Sequence, residues 1–227
     1  MSCLGLDIGG ANLKAAHMDG WAKSIPFALW RNPNGLANAL RDLITAAPSA
    51  DQLAITMTGE LCDCFQTKAV GVRHILEAVD EVANDRDVLV YLTDGRYVTT
   101  TEARDLPHLA AASNWRALAE FVCRHYAAGE SAILLDIGST TTDIIPVFAG
   151  RVAAIGRTDT ERLLNSELVY TGVGRTPVCA VVKTLPYRGR ACPVAAEVFS
   201  TTADAYVVLG KLAEDSEVIS TADGRPM

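Results

Sequence analysis

The sequence predicts an α/β protein of two related halves, each opening on a strand, a glycine turn and a returning strand. Three observations carry that reading. Asp7-Ile8-Gly9-Gly10-Ala11-Asn12-Leu13-Lys14 follows the apolar run Cys3-Leu4-Gly5-Leu6. Asp136-Ile137-Gly138-Ser139-Thr140-Thr141-Thr142-Asp143 follows Ala132-Ile133-Leu134-Leu135. Between the two devices the hydrophobic period switches from alternation to helical spacing and back, the mark of a sheet with helices packed on it.

The elements follow in order. Residues 3–8, 12–18 and 23–29 read as strands joined by Gly9-Gly10 and Asp19-Gly20, an antiparallel meander. Asn34 to Ala47 reads as a helix, with Leu36, Leu40, Leu43 and Ile44 on one stripe and Pro48 closing it. Gln52 to Thr58 is a buried strand, Gln66 to Val82 an amphipathic helix, and Val88 to Leu92 the next strand. Ser113, as N-cap, begins a helix to Ala127 that bridges the halves. Strands at 131–137, 141–148 and 151–156 restart the pattern, and Thr158-Asp159-Thr160-Glu161 starts a short capped helix ending near Asn165. Residues 166–199 read as β-rich and irregular, with a loop at Gly172 to Pro177, and Thr201 to Leu212 as a last helix. The halves divide at 1–129 and 130–227. The second stops after one helix where the first has a full set, so it is expected to be incomplete.

Composition narrows the classes. With 49% hydrophobic and 21% charged residues the chain belongs with ordinary globular proteins. No apolar run reaches the roughly 18 residues that a bilayer demands. Met1-Ser2 leads directly into a strand without a basic leader or cleavage pattern, so a cytoplasmic location is expected. The net charge of −7 without a basic stripe argues against nucleic acid as a partner. Of six cysteines only Cys62 and Cys64 are close, at a spacing unlike structural zinc sites, and reduced thiols are expected.

The glycine turns suggest chemistry. Backbone N–H groups approach a phosphate closely where no side chain intervenes, and an Asp at a strand end can hold a hydrated magnesium ion. Gly9, Gly10, Asn12 and Lys14 in the first hairpin, and Gly138, Ser139, Thr140 and Thr141 in the second, are the candidate phosphate contacts. Asp7 and Asp143 are the candidate catalytic carboxylates that would hold Mg²⁺. If the turns face one cleft they form a clamp for a di- or triphosphate. Glu60 and Asp63 follow a strand, where open α/β sheets place ligands. Either suits proton transfer or an amine contact, or else a solvated loop and helix start. Thr58, Lys68, Gly174 and Arg175 are candidate substrate contacts, Arg175 suiting a carboxylate or phosphate.

The duplicated Asp-x-Gly hairpin resembles the actin, Hsp70 and sugar-kinase superfamily, whose halves are ribonuclease-H-like. Asp136, Gly138, Thr140 and Asp143 match its D-x-G-x-T-x-x-D phosphate pattern. The first hairpin departs from it, because Ala11 stands where kinases usually carry a hydroxyl. Along almost the whole chain the sequence is similar to the hydantoinase/oxoprolinase-like group linked to tetrahydromethanopterin one-carbon metabolism. The stretches that carry this likeness are Leu4 to Lys14, Met57 to Phe65, Lys68 with Gly71-Val72, Leu134 to Val147, Tyr170 to Pro177, and Thr221 to Pro226. The resemblance implies a cytoplasmic transferase of methanofuran biosynthesis. It would join the phenol of a glutamylated tyramine, a phenolic amine, to an aminomethyl-furan carried as its diphosphate. It also implies a longer chain, so that residues 1–227 would be a fragment with an open second half. Two other readings stay open: an ATP-dependent hydantoinase/oxoprolinase-like hydrolase or small-molecule kinase, and a non-enzymatic nucleotide-binding scaffold. The oligomeric state is not legible.

Overall fold

A computed structural model describes residues 2–214. The closing Thr221 to Pro226 motif lies outside the described residues. Contacts divide the chain into two compact units, residues 1–132 with 146–164, and residues 133–145 with 165–227. The division is therefore not a single cut after residue 129, because the segment from Pro146 to Leu164 belongs with the first unit.

In the first unit, β1 (Cys3–Ile8), β2 (Asn12–His17) and β3 (Ala22–Pro26) form the expected meander. They are followed by α1 (Leu36–Thr45), β4 (Gln52–Met57), α2 (Lys68–Ala83), β5 (Asp87–Tyr91) and β6 (Tyr97–Val98). The sheet order is β3-β2-β1-β4-β5-β6, with β1, β4 and β5 parallel and the other pairs antiparallel. This is the mixed sheet, a meander merging into parallel βαβ units, that the β-β-β-α-β-α-β succession predicts.

Alternation decides which face is buried. Leu4, Leu6 and Ile8 of β1, Leu13 and Ala15 of β2, and Leu53, Ile55 and Met57 of β4 all turn into one core. Leu36, Leu40 and Leu43 of α1 and Val72, Ile75, Leu76 and Val79 of α2 complete it. At about 1.5–3 kcal/mol for each fully buried large aliphatic side chain, this layer dominates the unit's stability.

Several boundaries differ from expectation for local reasons. The first helix begins at Leu36, because Pro33 and Gly35 form a 3-10 turn before it. The next begins at Lys68, because the Thr67 side chain accepts the Val70 amide at 3.2 Å. β3 ends at Pro26, where the chain leaves the sheet and the Phe27 and Leu29 amides donate to Ala11 and Gly10 carbonyls, both at 2.9 Å. After β6 come α3 (Thr100–Asp105) and α4 (Pro107–Ala110), which the sequence reading left unassigned. The reciprocal Thr99 and Glu102 cap was the available signal for α3, and Pro107 at the first turn that for α4.

Helix α5 (Asn114–His125) belongs to the first unit. Ser113 is not its side-chain N-cap, being itself in a helical conformation with no capping bond. The strands β7 (Ala132–Ile137), β8 (Thr142–Phe148) and β9 (Arg151–Val152) reproduce the second meander, although the third is only two residues long. Helix α6 (Asp159–Leu164) has its expected start, with the Arg157 and Thr158 amides donating to Glu161 Oε2.

In the second unit β10 (Leu168–Val169) pairs antiparallel with β8, which lies between β10 and β7. α7 (Val178–Val181), the hairpin β11 (Thr184–Tyr187) with β12 (Arg190–Pro193), and α8 (Thr202–Val208) follow. Thr201 and Asp204 cap α8 reciprocally. The helix stops at Val208, short of Leu212, and Gly210 is left-handed with φ +64°. β7 exposes Ile133, Leu135 and Ile137.

Candidate active site

The carboxyl ends of β1 and β4 bring the first hairpin and the Met57-to-Phe65 motif together. The Gly9 amide closes the β1–β2 turn on the Asn12 carbonyl at 3.1 Å, and the Thr58 amide donates to the Ile8 carbonyl at 3.0 Å. The glycines are demanded by close approach. A Cβ on Gly10 would meet Cys62 Sγ at 2.7 Å, and one on Gly59 would meet Leu29 at 2.7 Å and the Ile8 carbonyl oxygen at 3.1 Å. Thr58 thus lies against the Gly9 turn, and Cys62 supports Gly10. Cys64 is exposed, with its thiol 3.9 Å from the Leu29 carbonyl.

Asp7 stands on the outer face of the same sheet. Strand register places Lys14 directly beside it on β2 and Thr56 on β4. Lys14 Nζ lies 3.3 Å from Asp7 Oδ2, and Thr56 Oγ1 donates to Oδ1 at 3.2 Å. Lys14, proposed from sequence as a phosphate donor, is held here by a cross-strand carboxylate. These three residues rim a cleft of about 590 Å³ on that face, floored by Gly5, Ala16 and Ala54 and flanked by Tyr91 and Tyr97. Thr56 was not anticipated; strict alternation of β4 beside β1 was the signal that could have found it.

The two loop carboxylates separate sharply. Asp63 is exposed, and the helix that it was expected to precede is capped by Thr67. Glu60 is 1% exposed. Its Oε1 accepts the Ala112 amide at 2.8 Å, while Oε2 is buried without a partner. Burial pushes this carboxyl up to about 7, only partly opposed by hydrogen bonds from its own and the Ala112 backbone. Lys68 and Asp159 act on it from nearby with opposite sign. Lys68 Nζ is itself 2.5 Å from Asp159 Oδ2. Asp159, read from sequence as part of a helix start, therefore belongs with Lys68 and Glu60 in one charged cluster that pattern alone did not reveal. On the same helix Arg162 is buried, with its guanidinium 4.0 Å from the centre of the Trp115 ring.

In the second unit the other hairpin is embraced by the Gly172-to-Pro177 loop. The Gly138 amide closes the turn on the Thr141 carbonyl at 2.9 Å. The Val173 amide donates to Gly138, and those of Gly174 and Arg175 donate to the Ser139 carbonyl, at 2.7–3.1 Å. A Cβ on Gly172 would stand 2.5 Å from the Gly138 oxygen and 2.6 Å from the Thr140 nitrogen. Thr142 Oγ1 donates to the Thr171 carbonyl at 2.8 Å, and Thr202 Oγ1 to that of Gly172 at 2.9 Å. Gly174 and Arg175, candidate substrate contacts from sequence, thus both rest on the Ser139 backbone of the second hairpin. Asp143 lies on β8 opposite Leu168 of β10.

A hydrated magnesium ion needs only one or two protein carboxylates when phosphate oxygens complete its shell. Asp7, a partly accessible carboxylate beside a hydroxyl at a strand end, fits that use. Among the described residues no group of three His, Cys, Asp or Glu side chains forms a preassembled metal cage. Among them, too, no helix is long and apolar enough to cross a membrane.

The hydantoinase/oxoprolinase family profile matches residues 51–226. The chain is 38% identical over 224 residues to the (4-{4-[2-(gamma-L-glutamylamino)ethyl]phenoxymethyl}furan-2-yl)methanamine synthase of Methanocaldococcus jannaschii, covering 97% of this chain and 66% of that protein. It is 42% identical over 108 residues to the synthase of the same name from Methanococcus vannielii, covering 48% of this chain and 47% of the relative. The chain thus spans about two thirds of the first relative's length and about half of the second's. Among solved structures it is similar to the type II variant of the Aquifex aeolicus Ppx/GppA phosphatase, with 10% identity, a TM-score of 0.41, and coverage of 77% of this chain and 53% of that one. That likeness is too distant to carry function.

Proposed function

We propose that this chain, which belongs to the hydantoinase/oxoprolinase family, carries the phosphate-handling part of an enzyme that builds an aryl furfuryl ether in methanofuran biosynthesis. The reaction joins the phenol oxygen of a glutamylated tyramine to the methylene carbon of an aminomethyl-furan diphosphate. A carbon–oxygen bond forms at the phenol and another breaks at the diphosphate. Pyrophosphate leaves with the bonding electron pair, and the phenol proton passes to a base. The observation that carries this reading is 38% identity along 97% of the chain to a synthase named for that product.

The two glycine turns suit the leaving group. Gly9-Gly10 and Gly138-Ser139-Thr140-Thr141 bring backbone N–H groups and hydroxyls to tight turns, where charge developing on pyrophosphate is stabilised by fixed dipoles. Mg²⁺, for which Asp7 of the first unit and Asp143 of the second are each a candidate carboxylate, would neutralise that charge as a Lewis acid. Arg175, exposed beside the second turn, suits a further anionic contact. Asp63, exposed at the loop after β4, is better placed than buried Glu60 to accept a proton from a bound phenol.

The test supplies purified protein with glutamyl-tyramine, the furan diphosphate and magnesium, and measures ether product and pyrophosphate together. Equal yields of both, without ATP, support the transferase. Product formation that consumes ATP stoichiometrically would replace it with an ATP-dependent family activity. Nucleotide binding without turnover of any substrate would favour the scaffold reading.

A further inference from the structure

Glu60 is the buried titratable group that the proposed chemistry leaves unused, and its surroundings tie it to the first glycine turn. It lies in the 3-10 turn Gly59–Leu61, immediately after Thr58 and Gly59, which pack on Ile8 and Gly9. From behind, Gly71 of α2 presses so closely that a Cβ there would stand 2.7 Å from Glu60 Cα and 2.8 Å from its carbonyl oxygen. Glu60 Oε1 in turn holds the amide of Ala112, a non-glycine residue in left-handed backbone at φ +50°. Such a conformation persists only where neighbours over-determine it. Ser113, next in the chain, donates its amide to the Met57 carbonyl at 3.2 Å. One carboxyl group thus fastens the Ala112 turn to the end of β4, and that end underlies the Gly9 turn.

We infer that Glu60 is a proton-linked positioning residue, whose neutral carboxylic acid holds the Thr58–Gly59 loop, and with it the Gly9–Gly10 turn, in place.

The geometry favours the neutral form. Oε2 is buried and without a partner, so an ionised carboxylate would leave much of its charge unsatisfied. The charged groups that face it are Lys68 from α2 and Asp159 from α6, and these two are already paired with each other. The Ala111-to-Ser113 segment and Gly9-Gly10 bring no titratable group, and Cys62 sits against Gly10. Ionisation therefore leaves two relaxations: Lys68 abandons Asp159, or the loop opens to water.

The sign of the pH dependence follows. The carboxyl lies near 4.5 when exposed and near 7 when closed in. Opening is least favoured below about pH 4.5, grows by about tenfold per pH unit up to about 7, and levels off above. The stability that the closed site contributes is thus fully present in acid and lost as pH rises across that window.

Amide hydrogen exchange tests this without any ligand. The reporters are Gly9, Thr58 and Ala112, each hydrogen-bonded in the closed arrangement, read between pH 5 and 8 after correction for intrinsic exchange. In the wild type, opening should rise by about tenfold per pH unit to near neutrality and then flatten. Glu60→Gln, uncharged and of the same shape, should remove the rise, while Glu60→Ala should expose all three amides at every pH. Lys68→Met should move the plateau to higher pH by removing the cation that favours ionisation. A flat wild-type profile, or the same slope in Glu60→Gln, overturns the inference. The proposal rests on reading Gly9–Gly10 as a phosphate turn for its functional meaning. Calorimetry with magnesium pyrophosphate examines that reading separately, since absent binding in both proteins would count against the phosphate turn and leave the exchange result unaffected.

Discussion

Lys68 and Asp159, separated by 91 positions in sequence, meet at 2.5 Å. The contact joins the first turn of α2 to the first residue of α6, and so fastens the Pro146-to-Leu164 segment to the body of the first unit. Asp159 is the more enclosed partner, with 11% of its side chain exposed against 50% for Lys68. A half-exposed ion pair of this kind contributes roughly 0.5–1 kcal/mol, and less in high salt. Lys68→Met and Asp159→Asn should each lower stability by about that amount. The double variant should lose no more than the worse single one, which denaturant unfolding in a double-mutant cycle reads directly. Additive losses would show that the two side chains act separately.

Gly71 poses a conflict between two effects of known size. In a helix interior Gly→Ala ordinarily stabilises by up to about 1 kcal/mol, because alanine loses less backbone freedom. At Gly71 the added methyl meets the Glu60 backbone at under 3 Å, and overpacking costs about 1–3 kcal/mol. The clash should win. Gly71→Ala is expected to lower the denaturant midpoint, and a stabilised protein would mean that α2 and the Glu60 turn have room to separate.

In the second unit Gly172 and Gly174 offer a matched pair. A methyl at Gly172 would strike the backbone of Gly138, Ser139 and Thr140, none of which can rotate away. At Gly174 the nearest atom is Ser139 Cβ at 3.5 Å, an ordinary contact. Gly172→Ala should therefore destabilise by about 1–3 kcal/mol and weaken magnesium pyrophosphate binding, whereas Gly174→Ala should change both little. Equal behaviour of the two variants would contradict the interlocked loop.

The first unit's topology was legible because its strands alternate cleanly and its two long helices keep apolar stripes. Leu4, Leu6 and Ile8 could face only one way once Asp7 was outward. The hairpin glycines were also legible, since each stands where a side chain would collide with Cys62 or with a carbonyl. What escaped were long-range partners. Nothing local to Asp159 announces Lys68, and Thr158-x-x-Glu161 supplied a sufficient local explanation for that helix start. Glu60 and Asp63 looked equivalent in sequence because burial three residues apart in a loop follows no period. Ser113 was misread as a cap because a hydroxyl before a helix has that meaning only when its backbone is extended. The helices after β6 were missed because six- and four-residue elements are too short to display a stripe.

The last prediction concerns Asp7 and Asp143, the carboxylates proposed as magnesium ligands. Asp7 lies in one row with Lys14 and Thr56, on a face where Gly5, Ala16 and Ala54 leave space above the sheet. Asp7→Asn keeps the shape and a hydrogen-bond acceptor for Thr56, leaves no cavity, and loses only the charge that holds Lys14. Its effect on folding should stay within about 1 kcal/mol. If Asp7 organises the metal, the same change should reduce magnesium-dependent pyrophosphate release by at least about a hundredfold, with higher magnesium failing to restore it. Asp143→Asn should behave alike. A Lys14→Met control separates the alternatives: if Asp7 mattered only by positioning Lys14, removing the lysine would cost as much activity as removing the carboxylate. Near-normal turnover by either Asn variant at saturating magnesium, with melting unchanged, would remove that residue from the metal site.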